Sequence, residues 1–263
     1  MRVLDDWLLT AERVAVHLPS ATAVLADPHL GYAQARRRSG EAVPSDCLDE
    51  QLAGLLRVRE QHRVRRLVIA GDLLEEGNSH SVLEELEEWL LRKGFELTAV
   101  VPGNHDGEMS VLDKRDWLYP ERFLLGGWQV RHGDGPLPDG LVVHGHEHPC
   151  LRWTHRSRVI RPRPFDGRLS PNTIESSCYL VGPGRLVLPA FSADAAGVNV
   201  LSVRRWRPYR CCVIAGDQVV DFGELATLRP RLTAAGAMNT PTADGRHLNR
   251  SGASTSPTWS RSC

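Results

Sequence analysis

Leu67-Val68-Ile69-Ala70-Gly71-Asp72 decides how this chain is read. Four apolar residues with strand character run into a glycine, and a carboxylate follows at once. Open α/β sheets gather their ligands at the carboxyl ends of their strands, so Asp72 stands where a ligand-holding acid belongs. Three other segments are expected to converge on it: Asp27-Pro28-His29 upstream, and Gly103-Asn104-His105-Asp106 and Gly145-His146-Glu147-His148 downstream.

The surrounding elements support a sheet at this point. Residues 22–26 read as a strand buried on both faces, ending at Asp27. Residues 45–62 read as a helix, capped by Ser45 or Asp46, with Leu48, Leu52, Leu55 and Leu56 in one stripe. Residues 80–93 read as a second helix with Val82, Leu83, Leu86, Trp89 and Leu90 inward, stopped by Gly94. Leu97 to Val101 is the third strand. Strand, helix and strand in succession build a parallel sheet. Residues 13–16 are expected to form an edge strand before Pro19. Further strands at 122–131, 141–143, 186–189, 198–203, 211–214 and 219–222 predict a second sheet beside the first, with residues 152–171 as a loop. From about Thr233 apolar periodicity ends. The expected division is a domain over 1–232 and a disordered tail over 233–263.

Composition narrows the class. The 263 residues carry 32 basic and 32 acidic side chains, so net charge neither drives nor forbids nucleic-acid binding. The six cysteines include no Cys-x-x-Cys pair, which argues against four-cysteine zinc and for reduced thiols. Neither a signal peptide nor an apolar run of about 18 residues is present, so a cytoplasmic protein outside the membrane is expected.

Seven side chains form the candidate ligand set: Asp27, His29, Asp72, Asn104, His132, His146 and His148. Mixed oxygen and nitrogen donors without thiolate suit manganese, zinc or iron, not copper(I) or iron–sulfur chemistry. Asp72 can give one oxygen to each of two metals. Such a pair can hold both oxygens of a phosphoryl displacement and sharpen a hydroxide between them. A lone Asp-x-His or Gly-Asp is common and by itself more simply structural. The ordered set is not.

These segments resemble the calcineurin-like metallophosphoesterase family, through Asp27-x-His29, Gly71-Asp72, Gly103-Asn104-His105-Asp106, His132-Gly133 and Gly145-His146-x-His148. The resemblance spans roughly residues 20–205. It implies a four-layer α/β/β/α sandwich with two central mixed sheets, and two divalent metal ions, manganese first with zinc or iron as alternatives. Asp27, His29, Asp72 and His148 would hold one ion, and Asp72, Asn104, His132 and His146 the other. His105 would assist the leaving oxygen as general acid, oriented by Asp106. Pro28 is expected to restrict Asp27 to extended backbone, which suits a strand end. His144 is expected to support the ligands from behind, direct ligation being the alternative.

A narrower likeness is to the ligase-associated DNA damage response endonucleases, the PdeM-like group. It rests on residues 25–31, on Gly145-His146-x-His148-Pro149 and on Leu188-Pro189-Ala190-Phe191-Ser192. It implies a DNA substrate and work beside a DNA ligase and a helicase. Arg36, Arg37 and Arg38 form a candidate phosphate-contacting lip. Arg152 and Arg156, with Arg158, Arg161, Arg163 and Arg168 around Trp153, form a candidate nucleic-acid-tracking loop. Both stretches also read as ordinary solvated faces. The expected activity is hydrolysis of phosphodiesters in nucleic acid. The alternatives are a small-molecule or cyclic-nucleotide phosphodiesterase, a phosphomonoesterase, or a non-catalytic scaffold in a repair assembly.

Overall fold

The computed structural model describes residues 1–44, 47–75, 80–106, 115–154 and 173–228. Two β-sheets pack face to face. The first has six strands in sequence order: β1 (Arg2–Val3), β2 (Trp7–Leu9), β3 (Ala15–His17), β4 (Thr22–Leu25), β5 (Arg66–Ala70) and β6 (Glu96–Val101). β4, β5 and β6 are parallel. The chain crosses between them through α1 (Tyr32–Arg38), α2 (Leu48–Gln51) and α3 (Ala53–His62), then through α4 (His80–Arg92).

Alternation along the strands divides the core. On β5, Leu67 and Ile69 face the helices, where they meet Leu55, Val58, Leu83, Leu86 and Trp89. Val68 and Ala70 face the second sheet, against Trp128, Val143, Tyr179, Leu186 and Leu188. A strand covered on both faces is read in sequence as a continuous apolar run. Burying each of the larger side chains contributes roughly 1.5–3 kcal/mol. The five inward residues expected of α4 are all buried.

The second sheet has nine strands. They are β7 (Phe123–Leu125), β8 (Trp128–Arg131), β9 (Val142–His144), β10 (Pro149–Thr154), β11 (Thr173–Gly182), β12 (Arg185–Val187), β13 (Val198–Asn199), β14 (Arg210–Ala215) and β15 (Gln218–Glu224). Its pairing is mixed: β9 is parallel to both β8 and β12, and β10 to β11 is antiparallel. Its outer face is covered by Val200, by Trp206 on a short 3-10 helix (Arg204–Trp206), and by Leu225 and Leu228. The architecture is therefore the expected α/β arrangement of two central mixed sheets flanked by helices.

Several elements differ from the sequence reading. β3 is an interior strand between β2 and β4, because the amino terminus adds a hairpin outside it. The helix expected over 45–62 is two helices broken at Leu52, and the first is capped at Cys47. Ser45 and Asp46 lie outside the described residues. The loop expected over 152–171 does not start at 152, since Arg152 and Trp153 belong to β10 and pair with Glu175 and Ile174 of β11. Residues 155–172 and the tail expected from 233 also lie outside the described residues. Among the described residues, no helix is long and apolar enough to cross a membrane.

Candidate metal centre

The centre lies where strand ends of the two sheets meet. β4 releases Asp27 and His29, β5 releases Asp72, and β6 leads to Asn104 and His105. From the second sheet, β8 leads to His132 and β9 leads to His146 and His148. Cross-links hold these loops in register. The Asp27 N–H donates to Gly71 O at 3.1 Å, and the His29 N–H to Asp72 O at 3.0 Å. The Phe191 N–H donates to Ala26 O at 2.7 Å, tying the loop after β12 to the end of β4.

Backbone strain concentrates here. Asp27, His29, Asp72, His146 and His148 all have φ between 39° and 63°. Asp27 is therefore left-handed and not in the extended backbone expected before Pro28; its N–H bond to Gly71 O and the bond its carboxylate accepts from the His146 N–H hold it there. Left-handed backbone at a non-glycine residue costs on the order of 1–3 kcal/mol and persists where surrounding structure enforces it. Gly71, at φ 95°, is required for a second reason: a Cβ there would overlap His132 Nδ1.

Asp27 is buried and faces two imidazoles. Its Oδ1 lies 3.4 Å from His132 Nδ1 and its Oδ2 lies 3.3 Å from His148 Nε2. Oδ2 also accepts the His146 N–H at 2.7 Å. Burial works to raise the Asp27 pKa, but the two histidines outweigh it and hold the carboxyl below its ordinary range. Asp72 accepts the His105 N–H at Oδ1, 2.9 Å. Its Oδ2 faces His29 Nε2 at 3.9 Å and His132 Nε2 at 3.6 Å. His132 Nε2 is also 3.0 Å from Asn104 Oδ1 and 3.0 Å from His146 Nδ1.

Two of the potential ligand clusters share one acid. His29, Asp72 and His148 offer donor atoms within 4.8 Å of one another, and so do Asp72, His132 and His146. The protein leaves these donors short of partners. Among the described residues, nine buried side-chain polar atoms lack a hydrogen-bond partner, and five belong to Asp27, His29, His132 and His148. Buried polar atoms are ordinarily satisfied. Lone-pair donors that face one another without aligned hydrogens are what divalent cations require, so the residues fit such ions.

Second partners orient the histidines. His148 Nδ1 donates to Ala196 O at 3.2 Å, which directs Nε2 inward. His144 is buried, with Nδ1 3.1 Å from Gly145 O, and burial lowers its pKa to about 4. It belongs to none of the ligand clusters among the described residues.

Asp106 does something other than orient the His105 ring. Its carboxylate accepts backbone N–H groups from Gly103 at 2.7 Å, Leu74 at 2.8 Å and Leu73 at 3.3 Å. It therefore ties the loop after β6 to the loop after β5. Burial raises its pKa to about 6. The residue that reaches His105 is Glu75, with Oε2 3.9 Å from His105 Nδ1 and 2.8 Å from His29 Nδ1. The shorter contact is out of line for a hydrogen bond. His29, Glu75 and His105 form a third potential ligand cluster. Sequence reasoning missed Glu75.

The expected arginine contacts are otherwise engaged. Arg36 pairs with Glu41 at 2.6 Å, and Arg37 Nε donates to Val43 O at 3.0 Å. Arg38 lies at the end of α1. Arg152 grips both oxygens of Glu175, at 2.5 and 2.9 Å. Arg156, Arg158, Arg161, Arg163 and Arg168 lie outside the described residues.

Comparison with known proteins agrees with this arrangement. A search of curated proteins finds no match. Among solved structures, the Pseudomonas putida nuclease MPE is similar with a TM-score of 0.59 at 20% sequence identity, covering 84% of this chain and 98% of that one. At that identity the likeness is one of fold. Residues 21–187 match the sequence profile of calcineurin-like phosphoesterases. That span is more than half of the sequence and holds every candidate ligand, so the chain belongs to the calcineurin-like phosphoesterase family.

Proposed function

We propose that the protein is a dinuclear-metal phosphodiesterase acting on nucleic acid. The observation that supports this best is Asp72, one carboxylate between two histidine pairs. On this reading Asp27, His29, Asp72 and His148 hold one ion, and Asp72, Asn104, His132 and His146 the other. Manganese is the first candidate, with zinc and iron fitting the same donors. Bound there, the cations would draw charge from the phosphoryl oxygens and bring water into the range of a nucleophile.

The chain's own residues supply the rest. His105 is partly exposed beside the centre, where its ring can give a proton to the departing oxygen. Asp72 fixes its backbone N–H, and Asp106 holds the loop that carries it. The narrower likeness to ligase-associated endonucleases extends the proposal to DNA repair in the cytoplasm, beside a DNA ligase and a helicase.

A second reading, a phosphodiesterase for small nucleotides, is favoured by the cavities that flank the ligands. They measure about 280, 140 and 80 Å³ beside His148, His29 and His132 respectively. Spaces of this size suit a mononucleotide better than a duplex.

The test uses protein stripped of metal and reloaded with manganese. Bis-p-nitrophenyl phosphate, single-stranded DNA and duplex DNA are compared with p-nitrophenyl phosphate. Hydrolysis of the diester and of DNA, lost in His105→Ala with metal content unchanged, supports the proposal. Turnover of the monoester alone would contradict it.

A further inference from the structure

Arg13 stands apart from the other arginines around the centre. It sits at the tip of the β2–β3 hairpin with φ 61°, outside any motif. That tip is built into the second sheet: the buried Tyr179 hydroxyl reaches Thr10 O at 2.8 Å and Val14 O at 3.2 Å. Arg13 Nη1 donates to Ser192 O at 2.9 Å and Phe191 O at 3.3 Å. Its remaining N–H groups make no hydrogen bond among the described residues. Whereas Arg36 and Arg152 each hold a carboxylate, no ion pair engages Arg13 among the described residues. The guanidinium is half-buried and is held by two carbonyl oxygens rather than by a carboxylate.

Arg13 lines the 280 Å³ cavity, and so does His148. Ser177 and Ser192 lie on the same wall. The Ser192 Oγ accepts the Asp194 N–H at 3.2 Å, which leaves its own hydrogen to donate. Glu175 is the acid on this wall, and the Arg152 fork offsets its charge. On the far side of Phe191 and Ser192, the cavity beside His29 is lined instead by Glu50 and Asp194. The His29 flank is therefore the more acidic of the two. A planar guanidinium with free donors, beside two hydroxyls, matches the oxygens of a phosphate.

We infer that this cavity is a second phosphate-binding site, which takes the phosphate next to the one at the metals and so selects nucleotides bearing two phosphate groups. The inference rests on the phosphodiesterase reading for what occupies the centre. Arg13 is the specificity-determining residue, and the Tyr179-locked hairpin holds it in place.

Calorimetry on the manganese-loaded full chain tests it with thymidine 3′,5′-bisphosphate and thymidine 5′-monophosphate. The bisphosphate is expected to bind at least tenfold more tightly. In Arg13→Gln the two ligands should bind within twofold of each other. Because Arg13 also holds the 191–192 loop, Ser177→Asp serves as a second variant. It adds an anion to the wall without touching those bonds, and should cut the preference at least fivefold. A preference below twofold in the unmodified protein, or one that survives both substitutions, would overturn the inference. If the preference follows Arg13 but bis-p-nitrophenyl phosphate is not hydrolysed, the site stands and the phosphodiesterase reading falls. Hydrolysis of that diester without any preference for the bisphosphate has the opposite meaning.

Discussion

The buried centre is expected to hold metal and the arginine-rich rim to touch substrate, and the fold treats the two in opposite ways. At the centre, Asp27, His29, His132 and His148 carry buried polar atoms without partners in the protein. At the rim, Arg36 is paired with Glu41 and Arg152 with Glu175. A side chain kept ready for a ligand is one that its own chain leaves short of partners, at a cost in stability. A charged surface residue with a neighbour of opposite sign is already satisfied. Arg13 stands between the two: it is held by two backbone carbonyls, and among the described residues no carboxylate pairs with it.

The contrast can be broken most sharply at Asp72. Asp72→Asn should lower diesterase activity by at least about a thousandfold and reduce the metal content, because both ligand sets lose their common acid. Rate and elemental analysis on the same sample check this. Gly71→Ala comes next. Left-handed strain alone is roughly 1–3 kcal/mol, about 2–12 °C in melting temperature for a chain of this size. Overlap with His132 should weaken metal binding as well, as thermal unfolding with and without manganese would reveal.

Glu75→Gln is the intermediate case. It keeps the shape but removes the charge beside His29 and His105, and a loss of about 10–100-fold in kcat/KM is expected with both metals retained. No loss would demote Glu75 to packing. The smallest effect belongs to the rim. Arg36→Ala and Arg152→Ala should each leave kcat/KM for bis-p-nitrophenyl phosphate within about twofold, since exposed pairs contribute little. A tenfold loss at either would return that arginine to the substrate path.

How much the sequence disclosed follows the range of each interaction. The inward face of α4 was legible because five apolar residues recur at helical period within one element. The candidate ligands could be picked out because each follows a strand end in a short motif. The second half of β10 was hidden by composition: Arg152 looks like loop until Glu175 is seen opposite it on β11. Glu75 follows two leucines and carries no motif. The Leu30–Leu74 bridge is what brings it beside His29. Arg13 was invisible for the same reason, since 178 residues separate it from Phe191. The role expected of Asp106 was partly misread, because a carboxylate beside His105 in sequence is satisfied in space by three backbone N–H groups.

The most direct test of the central claim is the metal stoichiometry of the manganese-reloaded protein, by elemental analysis with electron paramagnetic resonance on the same sample. The account predicts two manganese ions per chain with spin-coupled signals, the coupling lost in Asp72→Asn. One uncoupled ion per chain, or coupling that survives in Asp72→Asn, would contradict it.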